Sequence, residues 1–261
     1  MLNMSLEGKV ALVTGGASGL GAAIVEKLAE ARAQVFSTDI NDDAGREVAT
    51  RAGATFLHQD VTSEAGWSET LSAVAGACGR LDILVNNAGM TSLKSIADLD
   101  LDTWNRTIAI NLTAVMLGCR EGIKMMRTNP GGPPSGSIIN ISSTGGILGS
   151  PYDPAYCAAK AGVRLLTKSI AAYCALEGTA IRCNSIHPGV ILTPMVSDAI
   201  DASDDPELTR RSFAGVSPRN QMGTPCDIAA MALFLASDLS SYATGAEFVV
   251  DGGATCAHGW K

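Results

Sequence analysis

Tyr156 and Lys160 stand four residues apart in Tyr156-Cys157-Ala158-Ala159-Lys160, inside a stretch with helical periodicity. That spacing puts both on one helix face, one turn apart. A tyrosine hydroxyl, with a pKa of about 10, is a poor acid or base at neutral pH. A neighbouring ammonium favours phenolate and brings that value down, so the pair can give a proton to a substrate oxygen or take one from it. Taken alone, the pair reads first as an amphipathic helix with a core Tyr and a surface Lys, a pattern common by chance. Ser142 and Ser143 close the run Ile139-Asn140-Ile141-Ser142-Ser143. At the carboxyl end of a parallel strand a hydroxyl faces the ligand crevice; the alternative is a polar strand terminus or helix N-cap. Asn111 interrupts the apolar run Ile108–Met116. A buried mid-helix Asn needs partners, either core backbone alone or a backbone or water contact beside Lys160.

A second group could bind phosphate. Thr14-Gly15-Gly16-Ala17-Ser18-Gly19-Leu20-Gly21 joins a strand-like run to a helix-like one. Glycines at 15, 19 and 21 let a pyrophosphate approach bare N–H groups at a helix N-terminus, where the dipole is positive. The spacing is T-G-x-x-x-G-x-G, not the commoner G-x-G-x-x-G. Asp39 ends the next strand-like run, 18 residues past Gly21, where a carboxylate accepts from ribose hydroxyls. It favours NAD and repels the 2′-phosphate of NADP. No Arg or Lys lies between 16 and 20 to counter it, and Arg46 reads as part of a solvated helix face. Alone, the glycines could form an ordinary turn, and Asp39 could open a turn through Asp43.

These side chains need a frame. Apolar, β-branched runs recur at Lys9–Thr14, Gln34–Asp39, Thr55–Val61, Leu81–Asn86, Ser137–Ser142, Ile181–Ile186 and Glu247–Asp251. Most are near-continuously apolar, as strands buried on both faces are. Helix-like stretches lie between them at Ala22–Ala31, Glu64–Cys78, Trp104–Met126, Ala155–Leu176 and Asp227–Ala236. The alternation predicts an α/β domain, doubly wound, with a parallel sheet of about seven strands and helices on both faces. No linker divides the 261 residues, so one domain is expected over 1–261. Val196–Gly223 breaks the alternation, is polar and lacks a strand, and so predicts a substrate lid.

Composition narrows the classes. Apolar residues are 46% and charged residues 17%, enough for a core and too apolar for disorder. The longest apolar run, Ile228–Ala236, falls far short of the roughly 20 residues of a membrane span, and the first nine residues leave no room for a signal peptide. A net charge of −7 without a basic cluster argues against nucleic acid and anionic membranes as partners. Seven cysteines, an odd number with no C-x-x-C, argue against a disulfide framework and for a cytoplasmic location. Three scattered histidines give no metal site.

Together these residues resemble the short-chain dehydrogenase/reductase family over about Leu6–Gly253. The resemblance is carried by the Thr14–Gly21 turn, Asp60-Val61, Asn86-Asn87-Ala88-Gly89, Asn111, Ser143, Tyr156 with Lys160, Asn184 with Pro188-Gly189, and Thr193. It implies a Rossmann-type domain in which Tyr156 is the acid–base, Ser143 holds the substrate oxygen, and Lys160 binds the nicotinamide ribose and lowers the Tyr156 pKa. Asn111 would hold a water of the proton relay. The cofactor would meet Gly15, Ser18, Gly19, Leu20 and Gly21 at the turn, and Asp60 and Val61 at the adenine. Asn87 and Gly89 would serve the adenine-side ribose and the fourth strand, and Ile191 and Thr193 the carboxamide. The family usually forms tetramers, so a homotetramer is expected, with Trp260 a candidate for packing on a partner.

Substrate is less legible. Thr62-Ser63-Glu64-Ala65-Gly66-Trp67 and Ile181–Pro188 followed by Thr193-Pro194-Met195 resemble bacterial NAD-dependent hydroxysteroid and cyclic-alcohol dehydrogenases. Candidate substrate contacts are Ser143, Gly145, Tyr152, Asp153, Tyr156, Gly189, Val190 and Met195. Gly145, Gly146 and Gly189 predict a roomy apolar site for a cyclic, aryl or steroid-like secondary alcohol, unless they serve only turns. The alternatives are a 3-oxoacyl-carrier-protein reductase, which Asp39 and the acidic charge disfavour, and a polyol dehydrogenase, which Asp153, Asp198 and Asp201 keep in view. A non-catalytic nucleotide sensor would show a damaged Ser143, Tyr156 or Lys160, and all three are present.

Overall fold

Val10-Ala11-Leu12-Val13-Thr14 is buried at every position, which only a strand covered on both faces allows. The structure, a computed structural model, describes residues 4–256. The strands are β1 (Val10–Thr14), β2 (Gln34–Asp39), β3 (Thr55–His58), β4 (Ile83–Asn86), β5 (Ser135–Ile141), β6 (Ala180–Pro188) and β7 (Glu247–Val250). They form one parallel sheet in the order β3-β2-β1-β4-β5-β6-β7.

The helices are α1 (Gly19–Glu30), α2 (Asp42–Ala52), α3 (Glu64–Cys78), α4 (Leu101–Ile108), α5 (Ala114–Met126), α6 (Pro154–Leu176), α7 (Pro194–Asp201), α8 (Pro206–Ala214) and α9 (Pro225–Ala236). Side-chain alternation along β1 sorts them into two layers. Ala11 and Val13 pack with Ile24 and Leu28 of α1, Val48 of α2 and Ile228 of α9. Val10 and Leu12 pack on the other face with Trp67 of α3, Val115 of α5 and Val163 of α6. Truncating a fully buried Leu such as Leu12 to Ala in such a layer costs about 2–5 kcal/mol.

Two departures from the sequence expectations matter. The single helix expected over Trp104–Met126 is three pieces, with a π-helical turn at Ala109–Thr113 between α4 and α5. Its cause is Asn111, whose Nδ2 donates to the Thr107 carbonyl at 3.1 Å and to the Met90 carbonyl at 2.9 Å. The acidic run after Asp39 opens a helix rather than a turn alone. Asn41 caps α2 by accepting from the Ala44 N–H at 3.2 Å, and Asp42 and Asp43 suit its positive end. Within 196–223 lie most of α7 and all of α8, joined to the fold by the bridge Ile191–Gly223. No described helix is long and apolar enough to cross a membrane. Trp260 lies outside the described residues.

Candidate active site

The carboxyl ends of all seven strands share one edge, and the strand order reverses between β1 and β4. Ligands bind at such a reversal, and here it opens into a cleft of about 670 Å³. At one end the glycine turn folds over β1. Gly15 and Gly19 have φ of +67° and +53°, the left-handed region that glycine adopts without cost. A Cβ at Gly15 would stand 2.8 Å from the Ala88 Cα. Ser18 caps α1 without a side-chain hydrogen bond, so the first N–H groups of α1 stay available to an anion. Gly21 serves packing instead. A Cβ there would meet the Gly15 carbonyl oxygen at 2.0 Å, so its bare backbone lets α1 close on the turn rather than lining the cleft. Gly16, which spacing did not single out, has a Cβ position 2.0 Å from the Ser37 Oγ.

Asp39 ends β2 on the cleft wall. Its Oδ2 accepts from the Ala17 N–H at 3.1 Å and its Oδ1 from the Asn41 N–H at 3.0 Å, so its position is fixed while lone pairs remain for a ribose. Asp60 and Val61 also line the cleft, with Asp60 Oδ1 accepting from the Thr62 N–H and hydroxyl at 2.9 and 2.8 Å. The Asn87 amide donates to the Thr14 and Gly15 carbonyls at 2.9 and 3.0 Å; it ties β4 to the glycine turn. These residues fit a nicotinamide dinucleotide: a cradle that Cβ atoms would fill, an open helix N-terminus and a carboxylate at the end of β2.

At the other end α6 carries Tyr156 and Lys160, with the Lys160 Nζ 5.6 Å from the centre of the Tyr156 ring. Pro154 opens α6, and Asp153 caps it by accepting from the Tyr156 N–H at 3.3 Å. The Lys160 ammonium is buried and donates to the Ile141 carbonyl at 2.8 Å. Burial pulls its pKa down to about 8, because a charge in a low-dielectric site is disfavoured. Gly89 sits against it, for a Cβ there would lie 2.8 Å from Asn111 Oδ1 and 3.5 Å from the Lys160 Nζ. Asn111 Oδ1 also accepts from the Met90 N–H at 3.2 Å. Its amide therefore clamps the chain after β4, the backbone role that the sequence allowed.

The Tyr156 pKa moves opposite to the sequence expectation. Burial pushes it up, the hydrogen bond with the Ser143 hydroxyl pulls it down, and Asp153 and Cys157 push it up again. Desolvation of the phenolate is the largest of these and sets the direction. Of the two serines, Ser143 faces Tyr156, and its Oγ accepts from the Gly145 N–H at 3.0 Å. Ser142 turns away and donates to the Lys160 carbonyl at 2.9 Å.

The substrate candidates divide. Gly189, Val190, Ile191, Thr193 and Met195 line the cleft. Gly189 is nevertheless demanded by Asp251, whose Cα would be 2.8 Å from its Cβ, and not by room for substrate. A Cβ at Gly145 would make ordinary contacts, 3.4 Å from Ser143 Oγ and Tyr156 Cε1. Tyr152 is 74% exposed and off the cleft. Asp153 is buried, and its carboxylate accepts from the Ser92 N–H at 2.9 Å, the Ser92 hydroxyl and the Leu93 N–H at 3.2 Å. Both corrections have one cause: spacing cannot tell a loop ahead of a helix that faces the cleft from one that anchors it. Sequence reasoning missed Met90, Thr91 and Ile110, which line the cleft with Phe213 of the expected lid. Met90 and Thr91 follow directly on Gly89 at the carboxyl end of β4, which is the signal that could have found them. The Thr91 hydroxyl reaches the Met195 sulfur at 3.8 Å.

Comparison with known proteins agrees with this arrangement. Residues 15–255 match a family model described as enoyl-(acyl carrier protein) reductase. The chain is 41% identical over 254 residues to the NADP-dependent (R)-specific alcohol dehydrogenase of Lentilactobacillus kefiri, covering 96% of this chain and 98% of that one. It is 40% identical to the cyclopentanol dehydrogenase of a Comamonas species, covering 95% and 97%. To the 3-alpha-(or 20-beta)-hydroxysteroid dehydrogenase of Mycobacterium bovis it is 42% identical, covering 95% and 90%. A crystal structure from Agrobacterium tumefaciens, assigned as a gluconate dehydrogenase, superposes with a TM-score of 0.89 at 31% identity, covering 97% and 98%.

Proposed function

The chain belongs to the short-chain dehydrogenase/reductase family, and from that premise we propose that it uses NAD to interconvert a cyclic, aryl or steroid-like secondary alcohol and its ketone. The observation that carries the reading is the meeting of Ser143, Tyr156 and Lys160 beside the glycine cradle, at one edge of one sheet. Bound there, NAD supplies the acceptor for the carbinol hydride. The chain supplies orientation and a place for the proton. The Ser143 hydroxyl donates to the alcohol oxygen, and the Tyr156 phenolate takes the hydroxyl proton. In reduction Tyr156 returns it to the ketone oxygen. Lys160, held by the Ile141 carbonyl and given room by Gly89, would hold the nicotinamide ribose.

Asp39 supports NAD. A carboxylate fixed by the Ala17 and Asn41 N–H groups accepts from ribose hydroxyls and repels a 2′-phosphate, although the Lentilactobacillus relative is NADP-dependent. Met90, Ile110, Val190, Met195 and Phe213 give the cleft an apolar wall, which supports a bulky apolar alcohol. The relatives that act on cyclopentanol and hydroxysteroids support the same class. Asp153, one of the residues that kept a polyol in view, has its carboxylate engaged by Ser92 and Leu93. Residues 196–223 would close over the substrate, since Val196 and Phe213 reach the cleft from that segment. Exposed Leu165, Tyr173 and Leu176 on α6 support assembly with further copies.

The test is initial-rate kinetics with NAD and with NADP over steroid alcohols, cyclopentanol, 1-phenylethanol, short 2-alkanols and sugar alcohols, with Tyr156→Phe as control. Activity with NAD on the cyclic, aryl or steroid alcohols, lost in Tyr156→Phe, supports the reading. Activity with NADP alone, or a preference for short linear alcohols, overturns the corresponding part of it.

A further inference from the structure

His187 is completely buried in β6, where a β-branched residue would continue the strand with no polar group to satisfy. Its Nδ1 lies 3.1 Å from the Ser143 carbonyl oxygen. A carbonyl only accepts, so Nδ1 carries the hydrogen. Its Nε2 lies 2.9 Å from the Ser185 Oγ. Burial lowers the imidazole pKa and favours the neutral ring, against the Ser143 carbonyl and Glu247, which raise it, and with Arg164 and Lys168, which lower it further. In the neutral ring Nε2 accepts, so the Ser185 hydroxyl donates to it. The direction of the whole chain of bonds is then set: Ser185 hydroxyl to Nε2, and Nδ1–H to the Ser143 carbonyl.

The bond ends on the residue that faces Tyr156. The Ser143 carbonyl also accepts from the Gly146 N–H at 2.9 Å, and its Oγ accepts from the Gly145 N–H at 3.0 Å. Three donors thus fix the Ser143 backbone and one hydroxyl lone pair. What remains free to turn is the hydroxyl hydrogen, which has Tyr156 and the cleft before it. We propose that His187 is a positioning residue for Ser143, that its Nδ1–H sets the direction in which the Ser143 hydroxyl donates, and that the Ser143 carbonyl fixes the tautomer while the Ser185 hydroxyl holds the other side of the ring. The inference rests on the reading that Ser143 holds the substrate oxygen.

Asparagine and glutamine separate this role from packing, because an Asn amide falls near the place of Nδ1 and a Gln amide near that of Nε2. In the full-length protein, His187→Gln and His187→Val should lower kcat about 10- to 100-fold, the scale of a misplaced reacting group. KM for the alcohol and the dissociation constant for NADH, read by fluorescence, should move less than about two-fold, well under 1 kcal/mol. His187→Asn should recover kcat to within about three-fold of the parent, under 1 kcal/mol. Nitrogen-15 NMR of histidine in the parent protein should show the Nδ1–H tautomer between pH 6 and 8, and this reading stands if a variant fails to fold. Equal kcat for Asn and Gln, an unchanged kcat for Val, or an Nε2–H tautomer overturns the proposal. Ser143→Ala distinguishes the two levels. If it keeps full activity, the role given to Ser143 fails; if it loses activity while His187→Gln keeps it, only the role of His187 fails.

Discussion

Asp153 joins two parts of the site, and removing its carboxylate should be felt in both. In Asp153→Ala the Tyr156 N–H loses its cap, worth about 1 kcal/mol. The Ser92 and Leu93 N–H groups lose a charged acceptor, a contribution of about 1.5–3 kcal/mol per bond when buried and less once the loop takes up water. Leu93 also holds a φ of +49°, a left-handed conformation that costs roughly 1–2 kcal/mol. Releasing that strain returns part of the loss. The net destabilisation is about 2–4 kcal/mol, which for a chain of this length lowers Tm by about 4–8 °C. Asp153→Ser keeps a capping oxygen but cannot reach the loop, so it should recover about 1 kcal/mol, or about 2 °C, and no more. The loop begins at Met90 and Thr91, which line the cleft, so both variants should raise KM for the alcohol. Because Asp153 pushes the Tyr156 pKa up, its loss should also move the pH-dependent rise of alcohol oxidation to lower pH. Thermal unfolding by circular dichroism and pH-resolved steady-state kinetics measure all three. A Tm for Asp153→Ala within about 1 °C of the parent, or an unchanged KM in Asp153→Ser, would refute the reasoning.

Replacing Asp39 with Ser should shift the NADP-to-NAD ratio of kcat/KM upward by about 100-fold, since a like charge beside the phosphate costs several kcal/mol; no shift in paired kinetics means that Asp39 does not meet the ribose. Lys160 titrates at about 8 instead of its ordinary 10.5, so the unfolded chain binds the extra proton between those values. Stability without nucleotide should therefore rise with pH from about 8 to about 10.5, by roughly 3 kcal/mol relative to Lys160→Met. Urea unfolding of both proteins at several pH values reads this, and parallel curves count against the buried ammonium. Since Tyr156 is pushed above the ordinary tyrosine value, oxidation should accelerate toward alkaline pH while ketone reduction stays flat at neutral pH; a pH-independent oxidation rate speaks against a tyrosine base. Ser37 Oγ is buried without a partner, so Ser37→Ala should be neutral or stabilising by up to about 1 kcal/mol. Gly16→Ala, driven into that hydroxyl, should lose folded protein in the same denaturation assay.

The strands were legible because burial on both faces leaves continuous apolar runs. Errors gather where the chain leaves the sheet for the cleft. The run Thr55–Val61 yields a strand only to His58, because Asp60 turns the chain through its bonds to Thr62. The break at Asn111 was hidden because its amide binds Met90, a residue 21 positions away. Tyr156, Lys160, Ser143 and the glycine turn each read alone as an ordinary helix, strand end or turn, and were legible only as an ordered set, through the family resemblance. The upward shift of Tyr156 and the parts played by Asp153, Gly21 and Gly189 depend on what lies across the gap, which spacing does not encode. His187 gave no separate signal, because it stands beside Asn184 and Ser185 among the buried polar residues of β6.

The strand order carries a consequence for biosynthesis. β1 is made first and lies inside the sheet; β2 and then β3 join one side of it, β4 joins the other, and β5, β6 and β7 follow outward. Each strand leaving the ribosome meets an edge already exposed, and none has to be wedged between two paired neighbours. The sheet can therefore grow by accretion in the order of translation. A nascent chain arrested after β3 already carries the glycine turn and Asp39, whereas the seat of Ser143 is complete only when β6 arrives with His187.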